Sequence, residues 1–147
     1  WQLSRRLKIG ASTGAALILL IQLIHVTRTN PPIEADLVAP TQVEDVLRRA
    51  CYDCHSFETR WPWYTDVFPW SWLTENDVEN GRAQLNFSEW DKPQPGLAGA
   101  VDTIQGDSMP PWRYLLIHPE ARLDDDEKAE LTRALRFMQR VAPVDGG

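Results

Sequence analysis

Hydrophobic positions divide the chain near residue 28. Behind Arg5, Arg6 and Lys8 runs IGASTGAALILLIQLIHV, 18 uncharged residues from Ile9 to Val26. As a helix this run reaches about 27 Å at ~1.5 Å per residue, close to the roughly 30 Å of a hydrocarbon layer. The pattern therefore predicts one N-terminal transmembrane helix, a signal anchor over residues 1–28. Thr27, Arg28, Thr29 and Asn30 follow the run in place of a small-x-small cleavage site, so the anchor is expected to be retained. Three cations before the run against Arg28 behind it place the N-terminus in the cytoplasm. Gly10 and Gly14 have the G-x-x-x-G spacing that lets a second helix approach. Chance is the plainer source of two glycines in such a run.

Beyond the run, TNPPIEADLVAPT (29–41) has three prolines and no periodicity, which reads as an extended Pro-rich tether. A domain over 42–142 follows, then a short tail, 143–147. Thr41 and Glu44 have capping-box spacing. Val43, Val46, Leu47 and Ala50 behind them recur at i, i+3, i+4, i+7, one face of a helix that runs into Cys51. Residues 71–85 read as helix with a possible break at Asn80-Gly81. Leu97, Val101 and Ile104 share one side of a helix that stops at Gly106. Pro110 and Pro111 exclude regular helix from SMPPW (108–112). Asp124 and Glu127 form a second capping box for a helix to about Val141, with Leu131, Ala134, Leu135 and Met138 on one face. No stretch alternates as a strand does. The expectation is all-α: a small helical domain behind one membrane helix.

Composition narrows the function. All 21 acidic but only 11 of the 15 basic side chains lie beyond Asn30, which argues against nucleic acid as a partner. Seven Trp in 147 residues is much ring surface for a small core, and something must pack against it.

Two cysteines stand in the chain, both in CYDCHSFETRWPWY (51–64). Structural zinc takes four protein ligands, and here His55, with the remote His25 and His118, would have to complete the set. A thioredoxin-type dithiol belongs beside a βαβ pattern, which is missing. The reading that uses every residue is C-x-x-C-H, covalent haem attachment. Residues i and i+3 share a helix face, so Cys51 and Cys54 can each bind one edge of a porphyrin, and His55 can bring its imidazole to the iron. The other axial position has four candidates: Met109, Met138, His118 and His25. Met138 sits on an apolar helix stripe and His25 at the end of the hydrophobic run. His118 in YLLIHPE reads as a loop histidine and stays the alternative. Met109, on a proline-stiffened loop, is favoured, and thioether ligation raises a haem's reduction potential.

These residues resemble the haem-binding domain family of small exported, c-type cytochrome-like domains. The resemblance rests on CYDCHSFETRWPWY, SWL, NGRAQLNFSEW and MPPWRYLLIHPEARLDDDEK, most of residues 43–140. It implies one covalent haem c on Cys51 and Cys54 with His55 axial and, by analogy with class I cytochromes c, Met109 distal. Trp61, Trp63, Tyr64 and Trp112, with Trp70, Trp72 and Trp90, are expected to wall the porphyrin. The acidic run Asp124–Glu127 is first a helix N-terminal charge and second a docking patch for a basic partner.

The functional expectation is a membrane-anchored mono-haem cytochrome at the bacterial inner membrane. It carries single electrons in the periplasm, as a subunit of a respiratory or photosynthetic complex or beside a redox protein. The competing readings are a haem sensor or peroxidase-like enzyme with an open iron position, for which Arg113 and His118 are the nearest pair, and a structural subunit whose haem does not cycle.

Overall fold

The computed structural model describes residues 2–23 and 26–141, and these are all-helical, with one isolated parallel bridge, Ala35 with Glu89. His25 and the tail 143–147 lie outside the described residues. The chain divides into two compact units, Trp1–Arg28 with Trp61–Asn76, and Thr29–Arg60 with Asp77–Gly147.

The first unit holds α1 (Gln2–Ile21) and overturns the transmembrane expectation: among the described residues no helix is long and apolar enough to cross a membrane. The uncharged run and the helix are out of step. Arg5, Arg6 and Lys8 lie inside the helix, and the run's helical part ends at Ile21, leaving about 20 Å of apolar helix at ~1.5 Å per residue. Behind it the chain is bonded to its own unit. The Gln22 side chain accepts from the Phe68 amide at 2.9 Å, the Thr27 amide donates to Glu75 Oε1 at 3.0 Å, and Arg28 pairs with Asp66. Phe68 meets Trp72 edge to face at 5.2 Å between centroids, and Thr65 is fully buried.

The second unit carries the main core. In α2 (Thr41–Ala50) the buried side chains are Val43, Val46, Leu47 and Ala50, the face the spacing predicts. The Thr41 capping box does not form, because the helix is entered from Pro40 without a side-chain cap and Glu44 turns to Arg48 at 2.8 Å. Helix α2 gives way at Cys51 (φ −127°) to a four-residue turn, α3 (Tyr52–His55). Tyr52 is buried, stacks on Phe87 at 5.2 Å and lies under the Arg48 guanidinium. Residues 29–40 form no helix and run along the chain at 86–90: Ala35 and Leu37 donate to Ser88 and Phe87 carbonyls, and Trp90 donates back to Ala35. This seats Leu37 in the core.

Helix α4 (Trp70–Gln84) passes through Asn80-Gly81 without a break. Its Arg82 clamps four neighbours, donating to Ser56 O at 2.7 Å, Thr59 Oγ1 at 2.9 Å, Thr29 O at 3.0 Å and Asn30 Oδ1 at 3.0 Å. Helix α5 (Ala100–Gln105) buries Val101 and Ile104 and packs on α7 (Asp125–Val141). Gly106 ends α5, but the left-handed residue is Asp107 (φ 54°), one position later than expected. Leu131 and Leu135 of α7 are almost fully buried, each stabilising the fold by roughly 2 kcal/mol.

The second capping box does form. The Glu127 amide donates to Asp124 Oδ1 at 2.8 Å and the Asp124 amide to Glu127 Oε2 at 3.1 Å. Asp124→Ala is expected to cost about 1 kcal/mol, read as a lower urea midpoint at unchanged slope. A midpoint equal to wild type would mean that Glu127, also paired with Arg49, holds the turn alone.

Candidate functional site

Three segments of the second unit meet around one cavity of about 240 Å³: the α2–α3 junction with Cys51, Asp53, Cys54 and His55; the Asp77–Gln84 part of α4; and the Met109–Tyr114 stretch, which leads into α6 (Trp112–Ile117). A second cavity of about 350 Å³ shares the wall of Cys51, His55, Gln84, Ile104 and Met109 and extends to Leu47, Phe87 and Leu135. The walls are mainly apolar, so a ligand of large hydrophobic area suits them.

The α3 turn presents its chemistry because of how it is hydrogen-bonded. The Cys51 carbonyl accepts from the amides of Cys54 at 3.1 Å and His55 at 2.9 Å, which puts both thiols on one turn. Helix α4 lies directly against this turn. A Cβ on Gly81 would stand 2.3 Å from the Cys54 carbonyl oxygen, so only glycine allows the approach. His55 Nδ1 is 3.0 Å from Gly81 O and 2.9 Å from Leu85 O. Both partners are acceptors, so Nδ1 carries the proton and Nε2 keeps the lone pair, the tautomer a metal-ligating imidazole needs. The Phe87 amide donates to His55 O at 2.8 Å and holds the backbone as well. Burial pushes the imidazole pKa down, against the pull of the two carbonyls, which keeps the ring neutral.

Both cysteines are free thiols, partly exposed. Burial in apolar surroundings pushes each up to about 12, with Cys54 raised further by the charge of Asp77. They are protonated at neutral pH, unlike the depressed thiol of a dithiol oxidoreductase. Among the described residues no group of three or more His, Cys, Asp and Glu side chains is arranged to hold a metal ion.

Asp53, between the two cysteines, is buried and accepts four hydrogen bonds. Arg60 donates from its amide at 3.0 Å, from Nε at 3.1 Å and from Nη2 at 2.8 Å, and Tyr114 OH donates at 2.6 Å. Burial raises the Asp53 pKa, but the bonds from Arg60 and Tyr114 outweigh it and hold the carboxyl below its usual value. Gly81, Asp53, Arg60 and Tyr114 are not among the residues the sequence pattern marks for the site. Of these only Gly81 left a local signal, since a glycine inside a helix costs about 1 kcal/mol against alanine and usually has a reason.

A family model described as a haem-binding domain matches residues 16–136. The chain belongs to the haem-binding domain family. No curated protein and no solved structure matches it.

In this haem-binding domain Cys51, Cys54, His55 and Met109 all line the first cavity. Met109 is 40% exposed and joins Pro110 through a cis peptide bond. Met138 is buried in the core and lines a groove elsewhere on α7. His118 stacks on Tyr114 at 4.4 Å and bonds Glu120 at 3.1 Å, and it is not a wall residue of either cavity. The aromatic residues are dispersed. Trp61, Trp63, Tyr64, Trp70 and Trp72 belong to the first unit, where Trp63 is 78% exposed and Trp61 Nε1 is buried without a partner. In the second unit Trp90 packs on the core beside Phe87, and Trp112 is 72% exposed and outside both cavity walls.

Proposed function

We propose that this haem-binding domain is a mono-haem c-type electron carrier, with the haem attached to Cys51 and Cys54 and His55 and Met109 on the two sides of the iron. The observation that carries the reading is His55. Its Nδ1 is committed to two backbone carbonyls while His55 lines the first cavity with the two cysteines and Met109, and the second with Cys51 and Met109. The fit is chemical as well as spatial: apolar walls, two thiols one turn apart, and a neutral imidazole of fixed tautomer. When bound, haem supplies an Fe(II)/Fe(III) couple.

The chain's own contribution is to hold and insulate. Gly81 and Leu85 orient the imidazole through their carbonyls. Ala50, Ile104, Pro110, Pro111 and Leu123 line the first cavity, which favours the less charged form of the site and keeps water away. Met109 would offer the iron a soft thioether, which would raise the reduction potential. The peroxidase-like alternative keeps half of its pair: Arg113 lines the first cavity, paired with Asp77 at 2.6 Å, and His118 is in neither cavity wall. Thioether attachment suits an exported compartment, the bacterial periplasm, with a redox protein as partner.

Met109→Ala tests the axial assignment. The variant is expected to lose the near-infrared methionine–iron band of the ferric protein, to bind carbon monoxide in the ferrous state, and to show a lower reduction potential. A spectrum equal to wild type would transfer the role to His118, and a wild type that already binds carbon monoxide would favour a sensor or enzyme.

A further inference from the structure

We propose that the hydrogen bond from Tyr114 to Asp53 is the positioning device that holds the Met109 loop onto the cysteine-bearing turn. The proposal rests on the reading of Met109 as an axial ligand. It assigns Tyr114 and Asp53 as positioning residues that act through the loop.

The loop is fixed differently at its two ends. At its start, the Thr103 carbonyl accepts from the Ser108 amide at 3.0 Å, the Met109 amide at 3.2 Å and Ser108 Oγ at 3.0 Å. That end is tied to α5 and not to the turn that carries the cysteines. At its far end the loop runs through Pro110 and Pro111 into α6, a helix of six residues with none fully buried. Tyr114 and Leu115 are partly covered by the core, whereas Trp112 and Leu116 are each 72% exposed. So short and exposed a helix has little apolar area to fix its position. Polar bonds must set it.

Two side chains of α6 make them. Arg113 donates from Nη2 and Nε to the two carboxylate oxygens of Asp77 on α4 at 2.6 and 3.2 Å, with side chains 46% and 28% exposed, and Tyr114 OH donates to Asp53 Oδ2 at 2.6 Å, where the carboxylate is 11% exposed. Solvent screens the first pair. The second is a short, charge-assisted bond away from water, the stronger kind. Its acceptor is itself immobile, since Arg60 binds Asp53 through its amide, Nε and Nη2. Asp53 stands between Cys51 and Cys54 in sequence, so the latch closes on the turn that bears both thiols. Tyr114 is five residues beyond Met109, and its bond spans 61 residues of chain.

Tyr114→Phe removes one oxygen and keeps the ring. With haem content per chain held as the reference, it is expected to lose at least half of the methionine–iron band and to bind carbon monoxide at least tenfold faster than wild type. Leu116→Ala, exposed and outside both cavity walls, is expected to change neither reading. Asp53→Asn keeps an acceptor but not its charge, so its carbon monoxide rate should be several-fold above wild type. This variant carries the test alone if Tyr114→Phe does not accumulate. A full band and wild-type carbon monoxide rates in Tyr114→Phe, or in Asp53→Asn, overturn the latch and leave the electron-carrier reading standing. Absence of the band from the wild-type protein overturns both.

Discussion

Gly81→Ala is expected to destabilise the protein by roughly 2 kcal/mol and to loosen its hold on haem. Two effects oppose each other. Alanine gains about 1 kcal/mol over glycine as a helix former, and Gly81 lies inside α4. Against that, the new Cβ would lie 2.3 Å from Cys54 O and 3.0 Å from its carbonyl carbon. These are backbone atoms and cannot rotate away, so the helix or the turn must move. Overpacking costs roughly 1–3 kcal/mol and occasionally more, and a clash with backbone belongs at the upper end. The clash therefore wins. For a domain of this size the net loss lowers the melting temperature by about 10 °C.

The chemical consequence follows from the same displacement. Gly81 O and Leu85 O both accept from His55 Nδ1, so a moved α4 turns the imidazole away from its set direction. Loss of such an outer partner typically weakens metal binding about 10–100-fold. Thermal melts by far-ultraviolet dichroism and haem retention on dilution check the two effects separately. Gly10→Ala is the control, since Gly10 also lies inside a helix, nothing lies within 4 Å of a Cβ there, and it is in neither cavity wall. A Gly81→Ala protein that melts with wild type and keeps its haem would show that the close approach of α4 to the turn is not needed.

That glycine marks the boundary of what local pattern reveals. The i, i+3, i+4, i+7 spacing of α2 was legible because one buried face is a property of consecutive residues, and the same holds for the cap at Asp124 and the proline break before α6. The C-x-x-C-H turn was legible for a like reason, as its chemistry is packed into five residues. Local pattern failed where a competing partner intervened: Glu44 matched a capping box but was taken by Arg48. It failed at Asn80-Gly81, where a glycine that reads as a break is there to let two backbones meet. It failed again at the N-terminus, where hydrophobicity marked an uncharged run but not where the helix would begin and end. The spacing of the indoles likewise does not say which face the cavity, because apolar side chains also furnish much of a protein's surface. Asp53 with Tyr114 was beyond reach, since no local period reports a pairing so distant in the chain.

Replacing Cys51 and Cys54 together by serine is expected to abolish haem that survives denaturation, the largest effect any substitution here should have. The group can be held in two ways. Coordination by His55 and burial between apolar walls are both reversible, and both vanish when the chain unfolds. A thioether persists, because it joins the porphyrin to the polypeptide itself. The turn allows two such bonds, since Cys51 and Cys54 are three apart and share a hydrogen-bonded turn. Serine is close in size and keeps the turn, and the rest of the cavity wall is unchanged, so the variant should still fold and take up haem weakly. Denatured wild-type protein should therefore show the mass of polypeptide plus haem, and the double variant polypeptide alone. Each single serine variant should keep one bond and the haem mass. Adding haem to the folded double variant should restore a bound spectrum that denaturant removes, which distinguishes lost attachment from lost folding. Haem mass on the denatured double variant would refute attachment through these two sulfurs, and a wild-type chain of unmodified mass would leave only reversible binding in the same cavity.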